Sequence, residues 1–586
     1  MASRGTKLGL HRRRSVDRSL CMSSGCPWAG KRFSRALKPA LAACLALGMC
    51  MALALPGWVG SARADAAAPG ERREAVVAVT SGLAGGLSTS VWGDGAAPDG
   101  LAHLAPRLTA LRGAHPGLIL LDAGDALTGA PWAPAGSALA GPPILLRAMN
   151  RLDYDAAVPG ERDLARAGAF LGGWAAASRF PWLAADLAPG PARVLPYRIL
   201  EHAGLKIAVL GLAMPGVAAQ RALRSAGVSA LAPLEAAAQR LAELRASGQA
   251  DLVFGLVPGG WDAAADRDTA RALGLLPRLD ADVLADRLPL DLLIVGRAPL
   301  RPAPHAGAAD SVPVAAAGAG LTVLRLTLER RADVWSVAEV NRERLPPLPA
   351  PDPVLMEEAR ADLSATAAWL GQPSRVRVTG SARKRAVLEC AGALGHAAAL
   401  RAGSPSPALG AARGEAAFSL LPELWRVLPL RKRDRGRVIT RAQVYRWLPY
   451  DDELVLARLT GRQIALLLTP HVRNLRGWRI APSLVLFPGG LEPHIPAGGS
   501  EVTSLTAPGA ARPLSPHDLY PVWMTDYHWD GAGGLARSAL LHPSQLAARG
   551  GISLREALFA LLSLPAPALP GPCSGFLGVM EPDAGR

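Results

Sequence analysis

Histidine, cysteine and aromatic residues are scarce here: 11 His, 6 Cys and 5% Phe, Trp and Tyr in 586 residues. Four of the cysteines (Cys21, Cys26, Cys44, Cys50) lie within the first 64 positions. Beyond them only Cys390 and Cys573 remain, with no CxxC or similar spacing, which excludes a cysteine-built metal site. Charged residues reach only 19% while apolar ones make up 50%, a balance that suits a folded protein and not a disordered one. Lysine is rare beside arginine, a bias that carries little mechanism. No repeat of 20–50 residues is evident, so solenoids and propellers are set aside.

The net charge of +16 misleads. Residues 1–64 hold 11 Lys and Arg and one acidic residue, and read as an export signal. A basic stretch from Arg12 to Lys38 precedes the uncharged apolar run Pro39–Leu55. Ala62-Arg63-Ala64 then fits the small-x-small cleavage rule, for a mature start near Asp65. The competing reading is an uncleaved membrane anchor, since the basic stretch is long. Without this segment 53 basic and 47 acidic side chains remain, a charge near +6, and nucleic-acid binding loses its main support. A cleaved leader places the protein in the periplasm or otherwise outside the cytoplasm, with no membrane contact afterwards. In an oxidising compartment Cys390 and Cys573 could join as a disulfide or stay as separate thiols; the sequence leaves both open.

The most informative stretch runs from Leu118 to Ala165. Ile119–Pro131 (ILLDAGDALTGAP) is an apolar run that ends in carboxylates, as a buried strand with Asp125 at its C-terminal mouth would. A second run then delivers Glu161-Arg162-Asp163 in the same manner. Strand-like runs Ala75–Thr80, Leu205–Ala213, Asp251–Gly259 and Asp291–Gly296 alternate with helical stretches such as Leu231–Ala246. This predicts an α/β layered domain with strands buried on both faces, over 72–342. A proline-rich linker spans 343–353. The second unit, 354–580, reads as α+β, with strand-like Glu453–Gly461 and Val522–Trp529.

The order of these segments resembles the periplasmic 5'-nucleotidase/UDP-sugar hydrolase family. Matching stretches include Asp99–Arg112, Met149–Gly160, Gly204–Gly216, Leu284–Gly296, Val312–Leu328, Val438–Ile464 and Pro513–Tyr527. The resemblance implies a calcineurin-like, metallophosphoesterase-like layered α/β sandwich followed by an α+β 5'-nucleotidase C-terminal-like domain that binds nucleotide. It also implies two divalent metals that activate a water for phosphoester hydrolysis. The family's ligand motifs are altered here. Asn-Asp-x-His-Gly stands as Ser81-Gly82-Leu83-Ala84-Gly85, and Gly-Asn-His-Glu as Gly160-Glu161-Arg162-Asp163, so that Arg162 replaces the catalytic His. Ser-His has become Val257-Pro258, and Gly-His-x-His has become Gly296-Arg297-Ala298-Pro299. Of the aligned metal positions, only Asp125 keeps the family residue. In the second unit the nucleotide loop falls near Phe418–Arg426 without its glycines. The last motif, Gly531–Leu535, lacks its Asp and its aromatic.

These departures imply a pseudoenzyme of a hydrolase family associated with nucleotide catabolism. No cofactor is expected, and no catalytic residue is assigned. Arg162, Arg297, Arg426 and Tyr527 are the ligand-binding candidates, with His528, Trp529 and Phe487 as further stacking partners. The arginines could fork onto a phosphate, sulfate or carboxylate, or else neutralise Asp125, Glu161 and Asp163. The partner would be a small anionic or nucleotide-like ligand, or a periplasmic protein. The alternative is an active phosphohydrolase with a rewired carboxylate site, in which Asp122, Asp125, Glu161 and Asp163 hold Mn, Mg, Zn or Ca.

Overall fold

The computed structural model describes residues 71–87, 100–128, 143–188, 193–259, 270, 275–296, 312–317, 320–347, 349–402, 418–422, 430–448, 452–475, 486–497, 499–529 and 541–580. The leader read at 1–64 and its cleavage site lie outside these residues.

In the first half, β1 (Arg72–Ser81) is followed by α1 (Leu101–Ala114), β2 (Ile119–Asp122), α2 (Ile144–Arg151), β3 (Ala156–Ala157) and the short α3 (Glu161–Leu164). Then come β4 (Trp182–Leu183), β5 (Val194–Leu195), β6 (Tyr197–His202), β7 (Leu205–Gly211), α4 (Val217–Ser225) and α5 (Pro233–Ser247). The half closes with β8 (Leu252–Val257), β9 (Leu292–Val295), β10 (Val314–Ala316), β11 (Gly320–Arg331) and β12 (Val334–Arg342). One sheet has the order β12-β11-β1-β2-β3-β4-β5 and a second the order β10-β9-β8-β7-β6.

Side chains of a strand alternate between its faces, and here both faces are covered. Val77 and Val79 of β1 meet Ile207, Val209, Phe254 and Ile294 of the other sheet in a dry inter-sheet core. Val76 and Ala78 point the opposite way, into a layer with α1 and α2. On the far side, α5 lays Ala237, Leu241 and Leu244 over Leu210, Val253 and Leu293. Helix α5 starts with Pro233 in its first turn and ends where Gly248 turns left-handed at φ 61°, the usual chemistry of each end. The result is a helix–sheet–sheet–helix sandwich. The apolar runs read from the sequence are its strands.

In the second half, α6 (Pro353–Glu358) and α7 (Arg360–Gly371) lead into β13 (Pro373–Val378), α8 (Lys384–Ala402), β14 (Phe418–Pro422), β15 (Val438–Thr440) and α9 (Arg441–Trp447). They are followed by β16 (Glu453–Thr460), α10 (Gly461–Leu475), β17 (Leu486–Gly489), β18 (Leu519–Thr525), α11 (Asp526–Trp529), β19 (Leu546–Ser553), α12 (Leu554–Leu562) and β20 (Leu577–Val579). A five-stranded sheet β17-β14-β18-β16-β19 and a three-stranded sheet β15-β13-β20 make this half α+β. Within the five-stranded sheet, β14 and β18 run parallel and the other neighbours are antiparallel. Cys390 of α8 and Cys573 are joined by a disulfide, which settles the pairing that the sequence left open. The strand expected over Val522–Trp529 stops at Thr525. The chain then turns into α11, where the Asp526 carboxylate accepts the N–H groups of Tyr527 and Glu453 at 2.8 and 2.9 Å.

Candidate functional site

Parallel strands put their C-terminal ends on one side of a sheet, and the loops that follow share one crevice. Here the ends of β1, β2, β3, β8 and β9 converge. Gly82 N–H donates to Gly124 O at 2.9 Å, Ala84 N–H to Asp125 O at 2.9 Å, and Val158 N–H to Asp122 O at 2.9 Å. A Cβ on Gly124 would lie 2.7 Å from Pro258 Cβ, and one on Gly296 would lie 2.2 Å from Ala123 O. The motif segments read separately from the sequence therefore meet in one place.

The carboxylates gathered there already have partners. Asp122 is fully buried; it accepts the Thr80 hydroxyl at 2.6 Å and Gly124 N–H at 2.9 Å. Burial raises its pKa well above the ordinary carboxylate range, despite those two hydrogen bonds. Asp163, also fully buried, receives the N–H groups of Ala126, Leu127, Thr128 and Gly160 at 3.0–3.3 Å. Burial, aided by the nearby Asp125 charge, pushes its pKa up to about 7. Its role is to bind the loop after β2 to the start of α3.

Asp125 lies in the loop directly after β2. The strand stops at Asp122, and Gly124 (φ 91°) and Asp125 (φ 57°) then turn left-handed, a conformation that glycine adopts freely and aspartate tolerates. This turn directs Asp125 Oδ1 to the main-chain N–H of Arg162 at 3.0 Å. Glu161 points away from Asp125. Its carboxylate accepts Gly216 N–H at 2.7 Å and Ala219 N–H at 3.3 Å, at the start of α4, and pairs with the Arg278 guanidinium. Arg278 is 8% exposed and is steadied by a 2.9 Å bond from its Nε to Met214 O.

These residues do not fit a pair of divalent metals. Leu83 fills the first ligand loop and is packed into the core with α1, at 2% exposure. Pro258 carries no donor, and Glu161 is turned onto α4 and Arg278. Among the described residues no group of three or more His, Cys, Asp or Glu is arranged to hold a metal ion.

Of the other candidates, Arg162 is half-buried at the start of α3. Arg297 and Arg426 lie outside the described residues, as do Gly531–Leu535. In the second half the three adjacent stacking candidates separate. Trp529 is buried in the core at 2% exposure. His528 is buried, with its Nδ1 2.6 Å from the Thr525 hydroxyl. Tyr527 alone of the three is exposed, at 37%, with its ring edge-on to His528 at 5.1 Å.

Sequence reasoning missed Arg278, whose partner lies 117 residues away, and Asp186, fully buried beneath the N–H groups of Ala213 and Met214 at 2.8 and 2.7 Å. Neither carries a local motif. Their one signal is a lone charged residue beside an apolar run.

Residues 427–539 match the family described as 5'-nucleotidase, C-terminal domain. Among solved structures, a putative 5'-nucleotidase from Staphylococcus aureus in complex with alpha-ketoglutarate superposes with a TM-score of 0.65 at 15% identity, covering 87% of this chain and 99% of that one. A 5'-nucleotidase precursor from Thermus thermophilus gives a TM-score of 0.55 at 19% identity, over 85% of this chain and 98% of that one. No curated protein sequence matches the chain. Residues 427–539 thus carry a 5'-nucleotidase C-terminal domain, and the fold as a whole is similar to that of these two-domain 5'-nucleotidase structures.

Proposed function

We propose that this chain is a 5'-nucleotidase-family member that has lost two-metal phosphoester hydrolysis and acts outside the cytoplasm as a pseudoenzyme, binding a small anionic or nucleotide-like ligand or a protein partner. One observation carries the reading: Asp122, Glu161 and Asp163 spend their oxygens on Thr80, on main-chain N–H groups and on Arg278. A carboxylate held in this way is satisfied without metal, and recruiting it as a ligand would break the loop contacts that position it. Export rests on the leader, and the Cys390–Cys573 disulfide suits an oxidising compartment. Among the described residues, no helix is long and apolar enough to cross a membrane.

The test is an assay of purified protein against AMP, UDP-glucose and bis(4-nitrophenyl) phosphate with Mn²⁺, Mg²⁺, Zn²⁺ or Ca²⁺, with bound metal measured alongside. The expected result is no metal-dependent turnover above buffer. Turnover that needs a divalent ion and disappears in Asp125→Ala would overturn the proposal in favour of a rewired carboxylate site. Thermal stabilisation by phosphate, AMP or alpha-ketoglutarate that is lost in Arg162→Ala or Arg297→Ala would identify the ligand as anionic. A melting point indifferent to all three would leave a protein partner.

A further inference from the structure

Residues 65–586 carry an excess of six positive charges, and one stretch of surface accounts for it. Along β13 the sequence Ser374-Arg375-Val376-Arg377-Val378 alternates, so that Ser374, Val376 and Val378 are buried and both arginines are exposed. The turn Arg431–Arg437 (RKRDRGR) before β15 adds five exposed cations, and Arg383 adds another. Over 373–383 and 430–440 these eight meet one carboxylate, Asp434. Their excess of seven matches the net charge of 65–586 to within one, so the remainder is balanced.

The fold fixes these cations in place. Ala382 N–H donates to Leu430 O at 3.0 Å, where the turn begins. At its end, Val378 N–H donates to Arg437 O at 2.8 Å and Gly436 N–H to Val378 O at 2.7 Å. Gly436 takes the left-handed φ of 85° that this requires. The turn is thereby set beside the strand that carries Arg375 and Arg377. Asp434 is spent on the turn itself, accepting Arg431 N–H at 2.7 Å and lying 3.5 Å from Arg437 Nη1. Like charges gathered so closely repel one another, and folding gains nothing from assembling them. A partner of opposite charge would relieve that repulsion.

We propose that this face docks an extended acidic segment of a partner protein. Arg375 and Arg377 stand about 7 Å apart along β13, and an extended chain presents its alternate carboxylates at the same repeat. Guanidinium groups fork onto carboxylates, so the match is in geometry as well as in charge. A membrane is a poorer fit. Among the described residues of β13, β15, β20 and the turn, no Trp, Phe, Leu or Ile is exposed to enter a lipid layer. A basic surface alone holds a membrane only alongside a second anchor. Nucleic acid calls for exposed rings on which bases stack, and none stands among these residues. The inference holds whether or not the first half retains any hydrolysis.

Fluorescence anisotropy of a labelled Glu-Thr repeat peptide with the full chain tests it, at about 0.15 M salt, where exposed charges more than about 8 Å apart are largely screened. Binding is expected, and Arg375→Glu/Arg377→Glu and Arg431→Glu/Arg433→Glu should each weaken it about tenfold or more. Arg193→Glu/Arg344→Glu, which makes the same charge change at exposed sites outside this face, should leave it unchanged. No binding by the wild-type protein overturns the proposal. So does an equal loss in the Arg193/Arg344 pair, which would reduce the effect to net charge. Cosedimentation with phosphatidylglycerol vesicles in place of peptide binding overturns it too, and assigns the face to a membrane. All six substituted side chains are exposed. Should the strand pair still fail to fold by circular dichroism, the turn pair carries the test under the same outcomes.

Discussion

Glu161 and Arg278 show how far one side-chain pair sets the electrostatics of the site. Arg278 is 8% exposed and meets the Glu161 carboxylate at the start of α4. Removing one partner of a buried pair leaves the other in a low-dielectric setting, which costs about 3 kcal/mol. Glu161→Ala should therefore lower the urea midpoint by an amount equivalent to about 3 kcal/mol, while Glu161→Gln, which keeps an acceptor oxygen and the same shape, should cost less. Equal losses for the two substitutions would mean that the carboxylate charge, and not an acceptor oxygen of the right shape, is what Arg278 needs there. Asp186 makes a second prediction, one that depends on pH. Burial pushes its pKa up to about 6 in the folded protein, against the pull of the Ala213 and Met214 N–H groups. A carboxyl whose folded pKa is raised holds its proton more tightly when folded. Its contribution is thus fully present below about pH 4 and is lost as pH rises through about 6. Unfolding free energy followed from about pH 4 to 7 should contain this falling component, and Asp186→Asn should lack it. An unchanged slope in that variant would assign the pH dependence to other groups.

At the scale of elements, the strands of the first half were legible and the turns between them were not. Strands covered on both faces need unbroken apolar runs, so Ile119–Leu121, Ile207–Leu210 and Leu292–Val295 announce themselves. The left-handed turn that re-aims Asp125 rests on two residues and leaves no period. The four-residue helix Asp526–Trp529 is likewise too short to show one, and its apolar residues read as a continued strand. The site residues divide in the same way. Asp125, Glu161 and Asp163 could be placed just beyond strand ends from sequence, but the partners that burial, and not spacing, brings to them come from 35 to 117 residues away. Gly160 joins the two levels. A Cβ there would lie 2.2 Å from Asp125 Oδ1 and 2.3 Å from Asp125 N. Gly160→Ala should force the β2 and β3 loops apart and cost about 1–3 kcal/mol, the range for overpacking a filled interior. Denaturant unfolding measures this directly; wild-type stability in Gly160→Ala would mean that the loops yield freely and that the site is looser than its hydrogen bonds imply.

For the whole molecule, the disulfide is the long-range constraint in the second half. Cys390 lies on α8 and Cys573 in the turn before β20, 183 residues apart in sequence and buried at 2% and 0% exposure. Around it the C-terminal segment is laid against β13, with Thr379 N–H donating to Phe576 O at 2.9 Å and Met580 N–H to Arg375 O at 2.8 Å. Cross-linking so long a loop restricts the unfolded chain, and loss of a native disulfide typically costs about 2–5 kcal/mol. Reductant should therefore lower the stability of the wild-type protein by an amount in that range. Cys573→Ser should show the same loss without reductant and no further loss with it. That second arm separates the bond from general effects of the reagent. A wild-type protein indifferent to reductant, with no free thiol released on unfolding, would show that the bond resists attack in the folded state. Indifference with two free thiols would show that it is absent from the isolated protein, and would remove one support for a life in an oxidising compartment.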